Sequence, residues 1–224
     1  MNANTVYESA TTALRSLLND TYDAEKADKF YHKIINSPES FYTMPAFYLL
    51  GKMAREALEE IESKDGKKSI LRACKNIIKS ANREDCAGAW IDGEGWQIVC
   101  DGYRAIRMRE PLSALPKANG IEMKAIFERA RANNKLAVPL PTIGAVKAHI
   151  AAEKADGKRK NTITWDFGEH LPQVDAHYLL DLLLIDGITE VMVNEGDIWM
   201  SMLYAACDGV EALLLPVRKV GNNG

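Results

Sequence analysis

The sequence predicts an α+β fold with a helical region over residues 1–66 and a mixed domain over residues 67–219. Three observations carry this prediction. Apolar residues recur at helical spacing through the first 64 residues, period-two alternation starts near residue 87, and Asp-Gly or Gly-rich turns separate the alternating segments. A helix followed by three strands occurs twice along 67–219, which predicts a domain of two similar helix-plus-β-meander halves.

The first 64 residues read as helices. Apolar positions spaced by three and four residues predict helices at 5–19, 23–37 and 43–62, of which the last has the most regular apolar face. A Lys-Asp-Gly turn follows at residues 64–66 and separates this region from the rest. Nothing in these helices indicates chemistry.

A short amphipathic helix predicted at 69–82 carries a basic stripe opposite its apolar face. The basic positions are spaced by four, three, four and four residues, so they align on one side of a helix. They are Lys68, Arg72, Lys75, Lys79 and Arg83. Such a stripe is either a solvated face or a surface that neutralises DNA phosphates without reading sequence. The same two interpretations apply to Lys158, Arg159 and Lys160, in a Gly-containing loop.

The segment 96–108 is a predicted hairpin with its corner at Asp101-Gly102. Residues alternate between two sides before and after the corner, and Asp-Gly between two alternating runs is a tight-turn signal because glycine tolerates φ > 0. Together with a strand at 87–91, it forms the first meander. From the residues alone, this is a surface hairpin with Tyr103 at its tip.

The remainder of the chain completes the two halves. Helical spacing predicts helices at 120–134 and 143–155, with an extended, proline-bounded segment at 136–141 between them. Alternation predicts a strand at 162–167, and Asp175 is a plausible N-cap for a helix at 177–184. Strands at 190–194, 198–205 and 212–217, separated by turns, form the second meander.

Bulk composition limits the function classes. The chain has 224 residues, 47% of them hydrophobic, and a formal net charge of −3. This charge argues against a strongly basic nucleic-acid binder, although a basic face can coexist with an acidic remainder. No apolar run reaches the roughly 20 residues of a membrane-spanning helix, and no secretory signal is recognisable. Four cysteines without a C-x-x-C pair favour a reducing, cytoplasmic location.

Catalytic and metal-binding signatures are missing from the sequence. No Gly-rich phosphate loop follows a predicted strand, and the histidines are dispersed without metal-ligand spacing. Cys100 has no histidine placed to activate it, so a buried strand residue is the better interpretation. We therefore expect a non-enzymatic protein without cofactor or metal.

Four segments of the second domain resemble the bacterial DNA sliding clamp, the β subunit of the replicative polymerase. Residues 98–105, "Ile-Val-Cys-Asp-Gly-Tyr-Arg-Ala", resemble the clamp's "x-x-Thr-Asp-Gly-His-Arg-Leu", and 213–219 resemble its C-terminal "Val-Met-Pro-Met-Arg-Leu". Residues 174–183 resemble its "Phe-Asn-x-x-Tyr-Leu-Leu-Asp-x-Leu" helix. Leu140-Pro141 with Val146 resembles its linker "Phe-Pro-Asp-Tyr-Arg-Arg-Val", except that Ile143-Gly144-Ala145 replaces the aromatic and both arginines.

The resemblance implies a DNA sliding-clamp-like domain whose helices face duplex DNA and whose pocket takes clamp-binding-motif peptides of replication proteins. The residues carried over to this pocket are Cys100, Gly102, Tyr103, Arg104, Pro141, Val146, Leu215, Pro216, Val217 and Arg218. Tyr103 replaces the family's histidine, which alters the pocket's shape. Clamps carry three such domains per chain and this chain holds one, so encircling DNA requires a homo-oligomer.

Two functional interpretations follow. The first is a DNA-associated scaffold or processivity factor of DNA replication. The second is a regulatory module of a phage or mobile element that keeps the clamp fold, binds a protein partner and does not encircle DNA. Salt-dependent binding to duplex DNA separates them, because only phosphate neutralisation gives a steep salt dependence.

Overall fold

The computed structural model describes residues 44–155, 162–196 and 202–217, with side chains described from residue 51 onward. The helices predicted at 5–19 and 23–37 lie outside the described residues. So do Lys158, Arg159 and Lys160 of the basic loop and Arg218 of the C-terminal tail.

The described residues form helices and antiparallel strands, which confirms the α+β prediction. The helices are α1 (Met44–Lys64), α2 (Lys68–Ser80), α3 (Lys124–Asn133), α4 (Ile143–Ala155) and α5 (Ala176–Leu182). The strands are β1 (Trp90–Ile91), β2 (Gln97–Cys100), β3 (Arg104–Met108), β4 (Leu136–Pro139), β5 (Thr164–Asp166), β6 (Gln173–Asp175), β7 (Glu190–Val193), β8 (Leu203–Cys207) and β9 (Val210–Leu214).

Most predicted elements are present with shifted ends; the strands predicted at 198–205 and 212–217, for example, are β8 and β9 at residues 203–207 and 210–214. Two elements differ more from the prediction. The strand predicted at 87–91 is reduced to β1, because residues 87 and 88 belong to a bend that follows the 3₁₀ turn Glu84–Cys86. Strand β6 was not predicted. It has only three residues and runs directly into α5, so it is too short to show the period-two alternation of a strand. Asp175 caps α5 as predicted, accepting from the backbone N–H groups of His177 and Tyr178.

The described chain divides into two compact units. The first holds α1, the start of α2 up to Leu71, and residues 112–117. Within it, the buried Glu62 carboxylate accepts a hydrogen bond from the backbone N–H of Ser113. The second unit runs from Arg72 to Pro111 and from Ala118 onward, and it contains both β-sheets.

The larger sheet is antiparallel and has the strand order β1-β2-β3-β9-β8-β7-β4. Strands β1–β3 follow α2 along the chain, and β7–β9 follow α5. The two runs meet at the β3–β9 pair, where Arg104 lies opposite Leu214 and Met108 opposite Val210. A separate two-stranded sheet is formed by β5 and β6.

Helices cover both faces of the larger sheet. Phe127 of α3 is fully buried in a cluster that includes Ile98, Ala105 and Leu213 from the sheet. Successive strand residues point to opposite faces, so Arg104 points away from the side that carries Ala105. Arg104 reaches α2 and α5, which therefore lie on the second face. The sequence pattern predicted the helices but not this division between faces.

A buried ion pair lies beneath α3. The Arg107 guanidinium donates from Nε and Nη2 to Oε2 of Glu211, at 3.1 and 2.8 Å, and these residues face each other across the β3–β9 pair. The guanidinium stacks between Trp96 and Phe127, 4.6 and 4.5 Å from the ring centroids. Burial raises the pKa of nearby Tyr204 to about 12. This pair links register partners of the two neighbouring strands β3 and β9.

No helix within the described ranges is both long and apolar enough to cross a membrane.

Candidate functional site

The corner at Asp101-Gly102 is fixed by its own aspartate. Oδ1 of Asp101 accepts from the backbone N–H groups of Tyr103 and Arg104, both at 2.9 Å, while Gly102 adopts φ +94°. The Asp101 side chain is completely buried, and Tyr103 at the tip is 53% exposed. The turn chemistry that predicted this corner therefore presents the tyrosine ring to solvent.

The C-terminal tail runs directly beside this corner. Leu214 is the register partner of Arg104, and the N–H of Leu215 donates to the carbonyl of Tyr103 at 2.8 Å. Two residues later, the N–H of Val217 donates to the carbonyl of Gln173 at 2.7 Å. The tail thus passes from the larger sheet to the edge of β6, and the corner and the tail lie together.

We name the apolar and aromatic residues of the corner tip, the tail and the adjacent α5 the Tyr103 patch. It consists of Tyr103, Tyr178, Leu215, Pro216 and Val217. The two tyrosine rings lie 6.0 Å apart at an interplanar angle of 32°. The other four residues are half-buried, so each offers part of its side chain to the surface. Burial raises the pKa of Tyr178.

Arg104 lies behind the patch in a buried network in which its guanidinium donates four hydrogen bonds. Its Nε donates to Oδ2 of Asp101 at 2.9 Å, and its Nη1 donates to Oδ2 of Asp181 on α5. Its Nη2 donates to the hydroxyl of Ser80 at 2.8 Å and to the carbonyl of Asn76 at 3.2 Å, both on α2. The side chain is only 7% exposed. Arg104 therefore joins the corner to two helices, and its guanidinium is not at the surface.

Arg104 of this network also contacts Tyr178 of the Tyr103 patch. The Arg104 guanidinium stacks on the Tyr178 ring, 4.3 Å from its centroid, in a cation–π contact. The side-chain amide of Asn76 donates to Oδ1 of Asp181 at 2.5 Å, so both oxygens of this carboxylate have partners.

The other predicted pocket residues are placed differently. Cys100 lies in the buried cluster with Ile98 and Phe127, and burial raises its pKa to about 11, which makes its thiol a poor nucleophile. Val146 of α4 is fully buried and acts in packing. Pro141 is half-buried in the loop before α4. Among the described residues of the predicted pocket, Gly102 and Tyr103 are exposed, and the tail is half-buried like Pro141.

The basic stripe lies on the outer side of α2. Lys68, Arg72 and Lys79 are exposed and Lys75 is half-buried. On the apolar side, Cys74 and Ile77 are buried, while the other predicted apolar positions are half-buried. Arg83, beyond the helix, pairs in bidentate fashion with Asp85 at 2.5 and 3.0 Å. The hydrogen bond with Arg83 lowers the pKa of Asp85. The charge of Arg83 is therefore already offset by a neighbouring carboxylate.

Sequence reasoning did not identify the residues that support the corner. Asn76 and Ser80 are four residues apart on α2, and Tyr178 and Asp181 are three apart on α5. A spacing of three or four residues places the two members of each pair on the same side of their helix. In the sequence, these residues could have been noticed as polar groups that interrupt the apolar face of each helix. Their partner on β3 is too distant in sequence for any local pattern to reveal.

Within the described ranges, no group of three or more His, Cys, Asp or Glu side chains is arranged to hold a metal ion. Comparisons with protein-family models, with curated proteins and with solved structures found no match for this chain.

Proposed function

We propose that this protein is a non-enzymatic, sliding-clamp-like scaffold that associates with duplex DNA through α2 and captures short peptides of replication proteins on the Tyr103 patch. The observation that carries the proposal is the hydrogen bond from the N–H of Leu215 to the carbonyl of Tyr103. It joins the two segments that resemble the clamp's pocket, which are more than 100 residues apart in the chain.

The order of elements supports a clamp-like domain. A helix followed by three antiparallel strands occurs twice, and the last strands of the two runs, β3 and β9, pair at the centre of the sheet. The helices that begin the two runs, α2 and α5, approach on the same face through Asn76 and Asp181. One departure is α3, which covers the opposite face of the sheet.

Peptide capture on this patch uses apolar anchoring. A peptide side chain packs against the Tyr103 ring and the tail, and its backbone finds polar groups at the rim. We expect Tyr103→Ala to weaken binding of a peptide with a bacterial clamp-binding motif by about 2 kcal/mol, roughly thirtyfold in Kd, as for a buried aromatic anchor. Fluorescence anisotropy with a labelled peptide measures this change.

Two variants serve as controls for the peptide experiment. Tyr103→Phe keeps the ring and is expected to bind within a few-fold of the parent. Ile91→Ala removes an apolar side chain of similar exposure, 54%, from β1 at the edge of the sheet. If Tyr103→Ala and Ile91→Ala bind the peptide equally well, the patch is not the peptide site.

Duplex binding is expected to depend on the stripe of α2. Replacing Lys68, Arg72, Lys75 and Lys79 by alanine removes four cations from one helix side. We expect the salt dependence, the slope of log K against log salt concentration, to fall by about 0.9 for each DNA phosphate that the variant no longer neutralises. Titration of a labelled duplex at several salt concentrations gives this slope.

A charge-matched variant is the control for the duplex experiment. Four other exposed cations are replaced by alanine, so the net charge changes by the same amount: Lys64, Lys117, Arg129 and Lys147. The stripe variant should lose affinity and slope, and the control should keep most of both. Equal losses in the two variants would show that only net charge matters.

A protein-interaction module of a phage or mobile element is the second candidate. The apolar character of the Tyr103 patch favours it, because such a surface serves a protein partner whether or not DNA is bound. This candidate predicts peptide capture with no duplex binding at low salt.

A further inference from the structure

We propose that Arg104 is a positioning residue that couples the two surfaces, so that duplex DNA on α2 tightens peptide binding on the Tyr103 patch. The inference rests on the proposed function, because it requires both ligands to bind. It adds that their affinities depend on each other, and by linkage the same factor applies in both directions.

The first step is the two-sided character of α2. Lys75 precedes Asn76 and Lys79 precedes Ser80, and neighbouring residues in a helix are about 100° apart around its axis. The lysines are placed on the stripe, whereas Asn76 and Ser80 contact Arg104. A phosphate held by these lysines therefore restrains the turn of helix that holds the guanidinium.

The second step leads from Arg104 to the patch. The guanidinium stacks on Tyr178, whose ring lies against Tyr103. The same side chain donates to Asp101, whose other carboxylate oxygen holds the backbone N–H of Tyr103. Ser80 also donates its hydroxyl to Asp101 at 2.8 Å. Both the ring and the backbone of Tyr103 are thus held by groups that depend on the position of α2.

Whether the duplex tightens or weakens peptide binding depends on which residues each ligand holds in place. Peptide binding requires the rings of Tyr103 and Tyr178 to be held in one position. They are held in the conformation in which Arg104 makes all its hydrogen bonds to α2. A duplex that fixes α2 favours that same arrangement, so the ordering cost of peptide binding is reduced in its presence. Positive coupling is therefore expected.

The experiment measures the Kd of a labelled clamp-binding-motif peptide with and without a saturating, unlabelled duplex at low salt. We expect the duplex to tighten peptide binding about fivefold or more, within the usual range of coupling between sites. Ser80→Ala removes the hydroxyl that links α2 to Arg104 and Asp101, and alanine is favourable in a helix. This variant should bind the duplex alone about as well as the parent and the peptide alone more weakly by a few-fold, because the corner is less well held. Its coupling factor should drop below twofold, a readout that a merely structural role would leave unchanged.

Ser69→Ala, at the start of the same helix, is the matched control and should keep the full coupling factor. If the parent binds both ligands and the duplex leaves the peptide Kd unchanged or weakens it, the coupling is refuted while the proposed function stands. Equal coupling in Ser80→Ala and the parent refutes the route from α2 through the Ser80 hydroxyl to Arg104 and Asp101. If the parent binds neither ligand, the proposed function and the inference both fail.

Discussion

Replacing Arg104 by alanine is expected to destabilise the protein by about 3–5 kcal/mol, the usual cost of removing one partner of a buried ion pair. The change leaves Asp101 and Asp181 in the interior without their cation, and their side chains are 0% and 11% exposed. It also removes the hydrogen bonds that tie the corner to Asn76 and Ser80. Urea unfolding followed by circular dichroism measures the loss as a lower transition midpoint.

Arg129→Ala provides the comparison for Arg104→Ala, since Arg129 is an exposed arginine of α3 and its loss should cost no more than about 0.5 kcal/mol. A second variant, Arg104→Lys, keeps the charge but not the forked geometry, so it should fall between the two. An Arg104→Ala protein as stable as Arg129→Ala would mean that the network does not stabilise the fold.

Gly120→Ala is expected to cost about 3 kcal/mol, because two separate penalties meet at this position. Gly120 has φ +65°, a left-handed conformation that costs an L-residue about 1–2 kcal/mol. An added Cβ would also lie 2.0 Å from the Trp90 ring, and overpacking of a core adds about 1–3 kcal/mol. The backbone cannot shift freely, since the N–H of Gly120 donates to the carbonyl of Asp85 at 2.8 Å. The thermal or urea transition gives the size of the loss.

Gly95→Ala separates the two penalties. Gly95 has φ +80° and no atom within 4 Å of an added Cβ, so only the backbone cost applies. We expect this variant to lose about 1–2 kcal/mol, clearly less than Gly120→Ala. Equal losses at the two glycines would show that Trp90 moves aside without cost.

Local signals in the sequence predicted the elements well, whereas contacts between distant residues escaped them. Helix α4, the Asp175 cap and the Asp101-Gly102 corner depend on residues within a few positions of each other, so spacing and turn chemistry suffice. The pairing of Arg104 with Asp181 spans 77 positions, and no periodicity encodes it. From the sequence, an arginine in a strand is expected at the solvent-exposed rim of the sheet. Arg104 is buried instead because α2 and α5 cover it.

The placement of candidate site residues follows the same division. Tyr103 is exposed because the corner that carries it is local. Cys100 and Val146 are buried because α3 covers one sheet face and α4 turns Val146 inward. Alternation assigns strand residues to two sides but cannot tell which side another element will cover.

The position of β9 has a consequence for the chain as it is synthesised. In the sheet, β9 lies between β3 and β8 and pairs with both. Strand β3 precedes it by about 100 residues in the sequence. A nascent chain that has exposed only β1–β3 therefore presents an unpaired strand edge until residues 210–214 leave the ribosome. Such late closure favours slow folding and leaves an exposed strand edge that is prone to aggregation.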